Sequence, residues 1–207
     1  MKPYAERAGL VLVSFVVLAG GDVDGDGAID TLHAYSVGDP NQPGSWWLQV
    51  SFASGGGTTL QILDPGATLS GVRPFDGFDI NASGKDEFFA VVGAGASTVQ
   101  LGLFEVAGCG LRRITLDGLP SVFPVGASVN FVSGIECVDI DGNGANDFLV
   151  VYTGSRLGDS DEFEVTGARY SVLDGVLNLV SADGIGGNVN EPGFDAFSSG
   201  GCPGVVI

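Results

Sequence analysis

The sequence predicts an all-β protein, and three observations carry the prediction. Glycine makes up 35 of the 207 residues and proline another 9, which cuts the chain into short runs. Those runs are rich in β-branched and aromatic residues and are bounded by Gly, Pro, Asn and Asp, the pattern of strands and turns. An aspartate-rich loop recurs three times, each copy followed by a strand-like run. No stretch carries the 3.6-residue period of a long amphipathic helix. A hydrophobic content of 44% is too high for a disordered chain. The length suits one domain with a substantial core.

Residues 1–20 admit two readings. Leu10 to Val17 is apolar on both faces, as in a strand covered on both sides. With Lys2 and Arg7 before it and Val17-Leu18-Ala19 after it, the same stretch also fits the apolar segment and small-residue cleavage site of a secretory leader. It is too short to span a bilayer as a helix. An apolar segment also leads into the other two loops, over 72–78 and 131–138, and this favours the strand.

Loop one follows as Asp22-Val-Asp-Gly-Asp-Gly-Ala-Ile-Asp30, with carboxylates at positions 1, 3, 5 and 9 and Gly27 at position 6. Loop three repeats it over 139–147 with Asp139, Asp141, Asn143 and Asp147, and loop two more loosely over 79–87 with Asp79, Asn81, Ser83 and Glu87. The second loop begins 57 residues after the first, and the third 60 after the second. A lone Asp-Gly or Asn-Gly pair is an ordinary hairpin turn. Oxygen side chains at four matching positions in three evenly spaced loops are better explained by a hard cation. Calcium takes 6–8 oxygen ligands, and alternate residues of a tight loop can aim at one centre. The position-7 carbonyls of Ala28, Lys85 and Ala145 would add one oxygen each. Position 12 is His33, Ala90 or Val150 rather than glutamate, and strands follow instead of helices, so EF-hands are excluded. Two strong Ca²⁺ sites are expected in loops one and three. A weaker one is expected in loop two, which has two acids among its four side-chain ligands.

The remaining strands fall in order. Loop one leads into 31–35, then the turn at 39–44, then 46–52 and 58–63. Adjacent Trp46 and Trp47 point to opposite faces: one joins the core, and the other packs at an edge or offers a stacking surface for a sugar. Loop two leads into 88–92, 99–106 and 111–116. Loop three leads into 148–152, 163–166, 168–173 and 176–180. This gives repeats over about 10–68, 69–128 and 129–190 and a tail over 191–207, all in one β-domain spanning 21–207. Residues 194–199 are at best a decayed fourth loop.

The three loops resemble the FG-GAP/VCBS repeat, the calcium-loop repeat of integrin alpha-subunit propellers. The order of elements is similar to that of short secreted repeat proteins of actinobacteria. The resemblance implies one β-propeller-like blade per repeat, calcium in each loop, and no shared catalytic activity. Propellers close with 4–8 blades, so three repeats raise the question of closure. The resemblance also supports a bond between Cys137 and Cys202, leaving Cys109 unpaired. Three free thiols remain the alternative reading of an odd cysteine count.

Charge bears on partners. The net charge is −17, and ten of the 25 acids lie inside the loops, where cations would neutralise them. Nucleic acid is disfavoured, because phosphate binding needs clustered Lys and Arg and only Arg112-Arg113 pair up. His33 is the single histidine and sits on an alternating strand. No Gly-x-Ser-x-Gly, P-loop or dinucleotide motif accompanies it. The Asn81-Ala82-Ser83 sequon is read as metal-binding. The expectation is a secreted or cell-surface, non-enzymatic calcium-binding module with a structural or adhesive role toward a protein or glycan. One alternative is a self-assembling subunit that forms homo-oligomers or polymers through edge strands, with residues 10–18 as donor. The other is a polysaccharide-active enzyme using Asp76, Glu136, Asp161, Glu162 or Glu164.

Overall fold

The computed structural model describes residues 12–140, 142, 146–160, 162–182, 187–190 and 201–207. Asp141, Asn143, Ala145, Asp161, residues 1–11 and the decayed loop at 194–199 lie outside the described residues. The fold is all-β. Helix is limited, among the described residues, to one turn, α1 (Ala67–Ser70).

Among the described residues, sixteen strands form two open sheets. The first sheet runs in chain order through β1 (Leu12–Gly21), β2 (Asp30–Val37), β3 (Trp46–Ser51) and β4 (Gly57–Gln61). The second has twelve strands. They are β5 (Arg73–Pro74), β6 (Phe88–Ala94), β7 (Thr98–Ala107), β8 (Gly110–Arg113), β9 (Thr115–Leu116), β10 (Leu119–Pro120), β11 (Phe123–Ala127), β12 (Phe131–Val138), β13 (Phe148–Arg156), β14 (Glu162–Leu173), β15 (Val176–Ser181) and β16 (Gly187–Asn190). Neither sheet closes on itself: β1 and β4 end the first, and β10 and β5 end the main path of the second.

A four-strand antiparallel meander recurs three times: β1 to β4, β5 to β8, and β12 to β15. The second and third meanders merge through β11, which lies along the first half of β7 and reaches β12 through Gly126↔Ser133 and Ala127↔Val132. Gly126 permits this crossing. Its φ is 139°, and a Cβ there would sit 2.4 Å from the Ser97 carbonyl oxygen.

The meanders stack face to face. In β6 and β7, Phe89, Val91, Leu101 and Leu103 point into one core, shared with Ile135, Leu149, Val172 and Leu177 of the third meander. Phe88, Ala90, Val92, Phe104 and Val106 point into the other core, shared with Leu32, Ala34, Leu48 and Val50 of the first. The middle meander is thus covered on both sides, which is why Phe88-Phe89-Ala90-Val91-Val92 reads as a continuous apolar run. Trp46 packs against the same core as Leu48, and its Nε1 donates to the Pro40 carbonyl at 3.1 Å.

The tail is fastened to the third meander. Gly201 forms a parallel bridge to Glu136, and Cys202 is disulfide-bonded to Cys137 across 65 residues of chain. Closing a loop of that length restricts the unfolded chain and stabilises by about 4 kcal/mol in the chain-entropy account. Cys109 is free and exposed. Among the described residues no helix is long and apolar enough to cross a membrane.

Candidate metal centre

Each aspartate-rich loop connects two strands, loops one and two at the same register and loop three one residue later, with Val138 opposite Phe148. In loops one and two the residue before position 1 pairs with position 9: Gly21↔Asp30 closes loop one, and the Phe78↔Glu87 bridge closes loop two. In loop three the Asp147 N–H donates to the Val138 carbonyl at 2.9 Å. The three loops therefore lie at the same end of their meanders.

One hydrogen-bond frame recurs inside them. The position-9 carboxylate accepts the position-2 N–H in all three: Asp30 from Val23 at 3.2 Å, Glu87 from Ile80 at 3.1 Å, and Asp147 from Ile140 at 2.9 Å. The position-1 carboxylate accepts the position-6 glycine N–H, Asp22 from Gly27 at 2.9 Å and Asp79 from Gly84 at 2.7 Å. Both glycines have positive φ, 85° and 78°, where a side chain is strained. Asp139 accepts from Gly142 at 2.7 Å, as Asp22 accepts from Gly25 at 2.9 Å. The backbone donors thus aim these carboxylates inward.

In loop one, Asp22, Asp24 and Asp30 each bring a carboxylate oxygen within 4.8 Å of the others. Two oxygens on one Ca²⁺ lie at most about 5 Å apart, given the ordinary Ca–O distance, so this cluster fits the ion. Asp26 lies outside that trio and accepts the Ala28 N–H at 2.9 Å, at the exposed tip. Asp30 is 1% exposed and also accepts the Ala53 N–H at 2.8 Å, so its carboxylate ties the loop to the end of β3.

Loop two keeps the frame with fewer charges. Asn81 donates its side-chain amide to Glu87 Oε1 at 3.0 Å, and its own Oδ1 accepts the Ser83 N–H at 3.0 Å. The sequon asparagine is therefore engaged within the loop. Burial pushes the Glu87 carboxyl up to about 7, with the Asp79 and Glu105 charges adding to it. A bound cation would favour its charged form. Burial also raises the Asp86 carboxyl, with the Asp22 and Asp79 charges adding to it and the hydrogen bond from Asp22 opposing. The Lys85 side chain lies over loop one, since a Cβ on Gly25 would meet Lys85 Cγ at 2.9 Å. Loop two faces a cleft of about 320 Å³ whose lining includes Glu105, Arg112 and Asp174.

The loops touch in sequence. Asp86, at position 8 of loop two, accepts the Asp22 N–H at 2.8 Å and donates its own N–H to the Asp22 carbonyl at 2.9 Å. Asn146, at position 8 of loop three, donates to the Asp79 carbonyl at 3.1 Å. Position 8 falls off the ligand pattern, so residue pattern alone singles out neither. An acid or amide there with no ligand role was the available signal.

The residues considered for catalysis lie on separate elements, apart from Glu162 and Glu164, which are two residues apart on β14. Asp76 is exposed and accepts the Gly20 N–H. Glu136 is hydrogen-bonded to the Tyr152 hydroxyl, which burial and that carboxylate hold well above its usual range. Glu136 pairs with Val150 and Glu164 with Ser155. Those partners are five residues apart on β13, about 17 Å at the strand rise, beyond the spacing of a hydrolytic carboxylate pair. His33 is part-buried on β2 between Leu18 and Gln49, and burial lowers its pKa.

No protein-family model and no curated protein matches the chain. Among solved structures, a rhamnogalacturonan lyase PL11 of Bacillus licheniformis is similar at a TM-score of 0.39 and 12% identity, over 88% of this chain. The chain spans 35% of that structure's length. A likeness at that level supports neither a fold family nor an activity.

Proposed function

We propose that the chain is an extracellular calcium-binding β-repeat module in which ions held by the loops stabilise a stack of propeller-type blades. Asp22, Asp24, Asp26, Asp30 and the Ala28 carbonyl would hold the ion in loop one. Asp79, Asn81, Ser83, Glu87 and the Lys85 carbonyl would hold it in loop two. In loop three the described ligands are Asp139 and Asp147. The observation that carries the reading is the convergence of the Asp22, Asp24 and Asp30 oxygens on a frame that loop two repeats bond for bond at positions 1 and 9.

The ion's role is thermodynamic. It binds the folded loops and not the unfolded chain, and so adds about 2.7 kcal/mol per site when free calcium stands 100-fold above Kd. A fold held this way is stable where calcium is abundant, outside the cell. The Cys137–Cys202 bond supports the same compartment, because disulfides persist in oxidising surroundings. The role is structural or adhesive, toward a protein or glycan partner. Thermal unfolding of chelator-stripped protein with EDTA and with millimolar CaCl₂ tests the reading. Calcium should raise Tm, and superimposable melting curves would sink it.

A further inference from the structure

We propose that loops one and two form one coupled ion-binding unit, and that Asp86 is the positioning residue that transmits occupancy between them. The proposal rests on the calcium reading above and goes beyond it, because three separate loops would fill independently.

The contact between the two loops is continuous and stiff. Asp86 grips Asp22 from both sides, taking its N–H on the carboxylate at 2.8 Å and giving its own N–H to the Asp22 carbonyl at 2.9 Å. The Gly77 N–H donates to the Gly20 carbonyl at 2.8 Å. The backbones meet at glycine: a Cβ on Gly21 would lie 2.9 Å from Gly77 Cα, and one on Gly77 would lie 2.9 Å from Asp86 Cβ. A Cβ on Gly25 would meet Lys85 Cγ at 2.9 Å and the Gly84 carbonyl at 3.2 Å. Residues 20–25 and 77–86 therefore cannot shift separately without breaking a hydrogen bond or closing a gap that does not exist.

The gripped residues are ligands or adjoin them. Asp22 supplies position 1 of loop one. Glu87, next to Asp86, supplies position 9 of loop two, and Lys85 on the other side supplies the position-7 carbonyl. An ion that fixes Asp22 fixes the peptide on which Asp86 is docked, and so steadies two ligands of the neighbouring loop. The second ion then meets a loop with less freedom left to lose, which is positive coupling without any large movement. Reciprocity requires the same factor in the other direction. Loop three joins the row through the Asn146 side chain on Asp79.

Calcium titration of the full chain, followed by ¹H–¹⁵N spectra, tests this. The Gly27 and Gly84 amides report the two loops separately, since each donates to its own position-1 carboxylate. Asp24→Ala removes a ligand from loop one and none from loop two. The expected result is at least a ~5-fold loss of loop-two affinity in Asp24→Ala, within the usual range for coupled sites. That loss should vanish when Asp24→Ala is made in an Asp86→Ala background. Asp86→Asn keeps an acceptor for the Asp22 N–H and should retain the coupling. If Gly84 titrates at the same midpoint in wild type and Asp24→Ala, the coupling is overturned while the calcium reading stands. An equal loss with and without Asp86 overturns the role of that residue. If neither glycine responds to calcium, the underlying reading fails as well. Should Asp86→Ala not fold, the Asp24→Ala comparison alone decides the coupling.

Discussion

Loops one and two share a frame and differ in charge. Both fix position 9 with the position-2 N–H and position 1 with the position-6 N–H. Both bury the position-2 side chain, Val23 at 0% and Ile80 at 1% exposure. Loop one then gathers three carboxylates, whereas loop two places an amide against its buried glutamate. The difference teaches that backbone donors and a buried plug set the loop's shape, while positions 3 and 5 set its charge. Shape and affinity can then be broken separately.

The largest effect is expected at the position-9 carboxylates. Asp30→Ala strands the buried Val23 N–H, at about 2 kcal/mol, and removes the bond to the exposed Ala53 N–H, at about 1 kcal/mol. Urea unfolding in EDTA should show a loss of about 3 kcal/mol. Glu87→Gln at neutral pH should cost far less, because burial already holds that carboxyl near half-protonated.

Acidity separates the loops next. The folded value of Glu87, about 7, lies above its ordinary 4.5, so the folded protein keeps a proton that the unfolded chain has released. The stability this brings is fully present below pH 4.5 and is lost as pH rises to about 7. Metal-free protein should lose up to about 3 kcal/mol from this group across that window. Glu87→Gln should flatten the slope. Calcium bound in loop two would need the charged form, so on the proposed reading its affinity should rise with pH over the same interval.

The smallest effect distinguishes two glycines. Gly27 has φ 85° and open space where a methyl group would sit, so Gly27→Ala meets only the positive-φ penalty, about 1 kcal/mol. Gly25 has φ 79° and Lys85 and Gly84 against it, so Gly25→Ala should cost about 1 kcal/mol more through crowding. Equal losses by thermal unfolding would mean that the loops are not packed on one another.

Much of this was legible from residue pattern. The alternation of Thr31 to Tyr35 and the apolar run from Phe88 to Val92 marked β2 and β6, and oxygen side chains at fixed positions marked the loops. Other features depend on distant partners. Residues 163–166 and 168–173 read as two strands because Gly167 interrupts them, yet β14 is continuous: Gly167 lies opposite Tyr152, and the irregularity falls at Arg169/Tyr170 instead. Strand β11 went unread because Pro124 and Gly126 both argue against a strand. Pro124 is tolerated opposite Gln100, and Gly126 makes the crossing that merges two meanders. The apolar 72–78 segment forms only β5 and the Phe78 bridge, because Asp76 turns aside to take the Gly20 N–H. An acid at position 8 marks Asp86 as unexplained, but its role is not legible in the sequence because its partner lies 64 residues upstream.

The central claim, that the frame shared by loops one and two holds calcium, is tested most directly by counting ions. Chelator-stripped protein would be dialysed to equilibrium against calcium and the bound metal measured. The account predicts at least two ions per chain, with one fewer in Asp24→Ala. No bound calcium at millimolar free ion would contradict it.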